Sequence, residues 1–194
     1  MSTPIGHCIG GVGIYLLSKK KNTPDWLLIL YSIIVSNLPD IDFICITNSG
    51  IKFSGIYHHQ ITHSITFIVI LSLVALIAGG RRLGIITFWC LTIHNLIDYF
   101  TFDGIPPKGI MFLAPFSKEY FISPIALWYG NKHQTLWETI SIPSLISMGY
   151  DLITMGLIVL IVVILKKVEV KVEVEVKQKA STSTLTSTLK NEGG

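Results

Sequence analysis

Charge is what this chain has least of: Asp, Glu, Lys and Arg together make up 14% of its 194 residues, against about 25% in an ordinary soluble domain. With 50% hydrophobic residues, that shortage excludes a water-soluble globule of usual composition and points to a bilayer as solvent. Cysteine is scarce too. Cys8, Cys45 and Cys90 lie far apart in apolar sequence and form no CxxC pair, which excludes a zinc ribbon or a disulfide framework and leaves them as packing residues. No nucleophile elbow, phosphate-cradling glycine loop or EF-hand pattern is present, so the motif-bearing forms of those chemistries drop out. The net charge of +3 is small, and its basic residues sit in short clusters between apolar runs. That is the pattern of membrane topology, not of nucleic-acid binding. The first apolar stretch, Ile5 to Leu17, is expected to belong to the mature protein and not to a secretory signal, because Lys19 to Lys21 follow it instead of preceding it.

What is present in quantity is long apolar sequence. Ile65 to Gly79 and Gly84 to Phe102, separated by Gly80, Arg81, Arg82 and Leu83, read as a tight helical hairpin. Met148 to Leu165 is a further span, a plain anchor closed by Lys166 and Lys167. Ile5 to Leu17 and Trp26 to Leu38 are shorter, and Pro24 and Asp25 suit the start of the second. From Gly104 to Pro143, prolines and glycines interrupt the pattern, so this stretch is an irregular loop whose Trp128, Tyr129 and Trp137 suit the membrane interface. The expected fold is all-α: an integral membrane bundle of four to five spans over residues 1–165, followed by a disordered, charged and Ser/Thr-rich tail over 166–194. The clusters at Lys19 to Lys21, Arg81 and Arg82, and Lys166 and Lys167 fall on one side of such a bundle, and that side, with the tail, is expected to be cytoplasmic.

The polar residues fall on the opposite, extracytoplasmic side. His7 opens the first helix, Asp40 and Asp42 close the second, and His58 and His63 open the third. In the fourth, His94 and Asp98 are four residues apart and share one helix face. Imidazole and carboxylate together are ligands for zinc, manganese or iron, and a set this large holds either two ions or one ion with supporting partners. Carboxylates near a membrane interior are costly unless a cation offsets them. His59 is expected to turn away, and His133, Glu119 and Glu138 to take no part.

These segments resemble the membrane-bound metal-dependent hydrolases of the YdjM-like type. The resemblance is carried by Thr3, Pro4 and His7, by Leu38, Pro39, Asp40, Ile41 and Asp42, and by His58, Ile61, Thr62, His63 and Ser64. It continues through His94, Leu96, Ile97 and Asp98 to Gly104 and to Pro115, Phe116 and Ser117, over about the first three quarters of the chain. Family members carry Arg and Gly between the two histidines of the third motif, where this chain has His59 and Gln60. Glu138 is similar in position to a glutamate ahead of the family's last span. The resemblance implies a metal-dependent hydrolase in the membrane with no assigned substrate.

The expectation is thus a membrane enzyme holding a divalent ion, zinc first and manganese or iron as alternatives, among His7, Asp40, Asp42, His58, His63, His94 and Asp98. A metal-bound water would attack an ester or phosphoester of a lipid or lipid-linked substrate, with Asp42 or Asp98 as general base. Membrane lipids are its expected partners, and no nucleic acid is. A non-enzymatic metal or ion carrier is the alternative, and a structural protein whose His and Asp merely pair with one another is a third reading.

Overall fold

The computed structural model describes residues 3–19, 25–41, 59–102, 108–129 and 141–192. Four helices dominate: α1 (Pro4–Ser18), α2 (Trp26–Ser36), α3 (Ile65–Tyr99) and α4 (Ile142–Glu192). Short 3-10 turns at Leu38–Asp40 and Ile61–His63 follow α2 and precede α3. The helix starts are set locally. Pro4 lies in the first turn of α1, the Asp25 carboxylate accepts from Leu28 N–H at 3.2 Å, and Ser64 Oγ accepts from Phe67 N–H at 3.1 Å.

The hairpin read from the sequence is present. Gly80 takes φ 79°, a left-handed conformation open to glycine, and α3 folds back there into two arms. Gly84 lies against Ser72 and Leu76, while Asn95 at the far end donates to the His63 carbonyl at 2.8 Å, so the arms run antiparallel.

α1 is the central helix, and its glycines set the close approaches. A side chain at Gly11 would meet the Ser32 carbonyl of α2 at 2.6 Å, one at Gly10 would meet Ile93 and Ile97 of α3, and those at Gly6 and Gly13 would meet Asp151 and Val159 of α4. Small residues at helix contacts of this kind are the packing device of membrane bundles, where apolar burial drives no association. Because Gly6 faces Asp151 and Gly13 faces Val159, α1 and α4 run in the same direction. At the end of α1 away from His7, Tyr15 Oη accepts from Asp25 N–H at 3.0 Å and Arg82 lies 3.9 Å from Asp25. The first inter-helix connection and the hairpin turn therefore share one end of the bundle.

The surface is inverted relative to a soluble protein. Ile70, Val74, Ile77, Trp89, Leu145, Ile153 and Leu157 are exposed, whereas His7, Ser32, Ser36, His63, His94, Asn95 and Asp151 are buried. Among the described residues, two helices are long and apolar enough to cross a membrane, Ile65–Tyr99 and Ile142–Gln178, and only 11% of the most apolar stretch of each is buried. A soluble core helix would bury that surface, so the apolar exterior faces lipid.

The irregular segment 108–129 docks on the start of α3. Met111 N–H donates to the His59 carbonyl at 2.9 Å, Ile65 N–H to the Phe112 carbonyl at 2.9 Å, and Thr66 Oγ1 to the Ala114 carbonyl at 2.9 Å. A two-residue parallel pairing joins Thr101–Phe102 to Trp128–Tyr129, and Trp128 Nε1 donates to Thr154 Oγ1 of α4 at 3.0 Å. Trp137 lies outside the described residues.

The tail corrects the sequence reading. Expected to be disordered from residue 166, it continues α4 as helix to Glu192. The chain has neither Pro nor Gly between Gly156 and Gly193, so a helix already nucleated in the apolar stretch propagates without a breaker. The Val/charge alternation has strand period, but an unpaired strand gains nothing to compete with that. Residues 160–194 form a compact unit separate from residues 1–159.

Substitution at the α1–α2 contact is expected to be costly. Gly11→Ala should lower the melting temperature of the detergent-solubilised protein, by an amount equivalent to about 1–3 kcal/mol of overpacking, whereas Gly156→Ala, which meets nothing within 4 Å, should leave it unchanged or raise it. Equal effects in thermal scanning would refute the close approach.

Candidate metal centre

Every element of the bundle's site end contributes to one cluster. The first turn of α1 carries His7, the 3-10 turn after α2 carries Asp40, and the turn before α3 carries His63. The last two turns of the second α3 arm carry His94 and Asp98. His7, His63, His94 and the Asp98 side chain are fully buried, and the Asp40 side chain is 13% exposed with both of its carboxylate oxygens buried.

The donor atoms converge. His63 Nε2 and His94 Nε2 are 3.0 Å apart, Asp98 Oδ2 is 3.1 Å from His94 Nε2 and 3.4 Å from His63 Nε2, and Asp40 Oδ1 is 3.6 Å from both nitrogens. Ligand bonds of about 2.0–2.2 Å place neighbouring donors of a tetrahedral ion about 3.3–3.6 Å apart, so this set of two imidazoles and two carboxylates fits such an ion closely. The outer contacts prepare the imidazoles. His94 Nδ1 lies 2.7 Å from the Ser36 carbonyl, which can only accept. The proton is therefore on Nδ1, and the Nε2 lone pair faces the cluster. His63 Nδ1 lies 3.0 Å from Thr62 Oγ1, a hydroxyl that can donate or accept, and Asn95 holds the His63 backbone.

Of the residues expected to meet, His7, Asp40, His63, His94 and Asp98 do. Asp42 and His58 lie outside the described residues, as do His133, Glu138 and Cys45. Cys8 and Cys90 contribute nothing to the cluster: Cys8 Sγ receives Asn37 Nδ2 at 3.3 Å, and Cys90 is in the apolar core.

His59 corrects the sequence reading. Expected to turn away, it is buried with Nε2 3.8 Å from Asp98 Oδ2 and its ring edge-on to His63. Its backbone adopts φ 71°, left-handed for a residue with a side chain, and Met111 holds its carbonyl there. Backbone strain of that kind persists where the surroundings impose it, commonly at functional sites.

Asp151 was missed altogether. It is fully buried in α4 and accepts from Thr3 N–H at 2.9 Å and Thr3 Oγ1 at 2.7 Å, fastening the residue that begins α1 one turn before His7. The signal was available, since Asp151 is the one acidic residue in the apolar run Met148 to Leu165, and a carboxylate in a span calls for a partner.

The family-level comparison agrees with this architecture. The sequence profile of the YdjM inner membrane protein family matches residues 1–171. The chain belongs to that family. It is 33% identical over 132 residues to the inner membrane protein YbcI of Escherichia coli K12, a match covering 64% of this chain and 73% of the relative. No solved structure matches the chain.

Electrostatics at the turn residues follow from the crowding. Burial on its own would lower the His63 pKa, but hydrogen bonds to the Asp40 and Asp98 carboxylates outweigh it and raise the value to about 9. Burial would likewise raise Asp40, yet the adjoining His94 and His63 hold it below the usual carboxylate range. The metal-free protein thus carries a proton on His63 at neutral pH, and an entering cation displaces it. Zinc affinity should therefore rise about tenfold per pH unit and level off above the His63 pKa, as read by chelator competition. A flat profile would contradict the assignment. Thr62→Val should weaken zinc affinity by about 10- to 100-fold with the fold retained, and an unchanged dissociation constant would rule out a supporting role for that hydroxyl.

Proposed function

We propose that the protein is a membrane-embedded metal-dependent hydrolase acting on an ester or phosphoester of a lipid or lipid-linked substrate. The observation that carries this reading is the donor set of His63, His94, Asp40 and Asp98, whose spacings suit one tetrahedral ion and in which the His94 proton is directed outward to the Ser36 carbonyl. A divalent cation held there, zinc foremost, supplies a Lewis acid and a water acidic enough to be a nucleophile near neutral pH.

The chain's own residues do the rest. Asp98 has imidazoles facing both of its oxygens, which suits a ligand, and either it or Asp42, which lies outside the described residues, serves as general base. The cluster lies at the end of the helices, beside their exposed apolar faces, and that position favours a substrate whose acyl or isoprenoid part stays in the bilayer. We take α1, α2, the two arms of α3 and α4 as the crossings. The basic clusters then put the site on the extracytoplasmic face and the C-terminal helix in the cytoplasm. A carrier would need ligands strung along a path through the bilayer, whereas these gather at one end.

The test is elemental analysis of detergent-purified wild type, His63→Ala and Asp98→Ala, paired with hydrolysis of nitrophenyl phosphodiesters and of phospholipid vesicles. The expected outcome is near-stoichiometric zinc or manganese in wild type, lost in both variants together with at least a 100-fold drop in turnover. Bound metal without hydrolysis of any ester would favour the carrier, and metal-free folded wild type would leave the structural reading.

A further inference from the structure

The two carboxylates of the cluster each divide their oxygens between different imidazoles. Asp40 directs Oδ1 to His63 and His94, at 3.6 Å from each Nε2, and Oδ2 to His7 Nε2 at 3.7 Å. Asp98 directs Oδ2 to His94 and His63, at 3.1 and 3.4 Å, and Oδ1 to His7 Nε2 at 3.7 Å. His7 is thus served by the second oxygen of both acids and the His63–His94 pair by the first.

We propose, resting on the metal-dependent reading above, that the cluster is a dinuclear centre: Asp40 and Asp98 bridge two divalent ions, one held by His63 and His94 and the other by His7. Carboxylates with one oxygen committed to each of two nitrogen-lined positions are the means by which protein sites pair metal ions.

Ring geometry separates the two positions. His7 and His94 lie face to face with centroids 3.8 Å apart and planes 22° from parallel. Imidazoles that share an ion through Nε2 converge on it and splay apart behind it. Near-parallel stacking instead sets the two nitrogens side by side, so that His7 joins His94, Asp40 and Asp98 in one group of donors while His63 joins Asp98 in another. His63, by contrast, is tilted 53° to His94 with its Nε2 only 3.0 Å away, the relation of two ligands on one ion. Among the described residues, the second position offers the His7 imidazole and one oxygen from each carboxylate. A phosphoester spanning two such ions would have one near the attacking oxygen and one near the leaving oxygen.

The experiment is metal counting on full-length protein in detergent after loading with zinc and removal of excess, with wild type, His7→Ala and His63→Ala compared. Manganese-loaded samples are examined by electron paramagnetic resonance. The proposal expects two ions per chain in wild type, one in His7→Ala, and a manganese spectrum whose exchange coupling in wild type gives way to that of an isolated ion in His7→Ala. His7→Gln guards against misfolding, since it too should hold one ion at wild-type thermal stability. One ion per chain in wild type, unchanged in His7→Ala and His7→Gln, overturns the dinuclear assignment while leaving the metal-dependent reading intact. No ion in wild type overturns both.

Discussion

Carboxylates and imidazoles enclosed in an apolar bundle must neutralise one another or be neutralised by something else, and this requirement organises the molecule. Asp98 has no route to water, and the Asp40 side chain has only a narrow one. In a low dielectric such charges are stable only against a nearby opposite charge. The packing of the site end follows from that need. Two helix ends and two 3-10 turns close around the same few oxygen and nitrogen atoms, the Ser36 carbonyl and Thr62 Oγ1 hold the His94 and His63 rings from behind, and Asn95 holds the His63 backbone.

Enclosure of that kind needs backbones that can come close, and α1 supplies them. Its glycines face α2, α3 and α4 in turn, so one helix touches every other helix of the bundle and carries His7 into the middle of the cluster. In a bilayer the apolar exterior gains little from contact with a neighbouring helix. Close backbone packing and buried polar contacts such as Asp151 with Thr3 take over the work that a hydrophobic core does in water. At the other end of the bundle, Tyr15, Asp25 and Arg82 form a looser polar clasp.

The parts legible in the sequence were those with a period or a costly residue behind them. The hairpin of α3 announced itself as two apolar runs around Gly80 and paired arginines, and the His94–Asp98 spacing fixed a shared helix face before any coordinates. His7, Asp40 and His63 were found because acidic and imidazole groups are expensive at membrane depth. His59 could not be read that way, since its inward direction depends on a left-handed backbone held by Met111, far along the chain. Asp151 was legible in principle, being a lone acid in an apolar run, but its partner Thr3 is 148 positions distant. The helical tail was misread because a local alternation was weighed without the stable helix immediately before it.

The bond between Asp151 and Thr3 spans 148 positions of sequence. The turn that carries His7 is therefore held in place by α4 as well as by its own helix. A chain lacking α4 would present His63 and His94 without the fastened His7, and so would lack the full grip on a metal that the intact bundle offers.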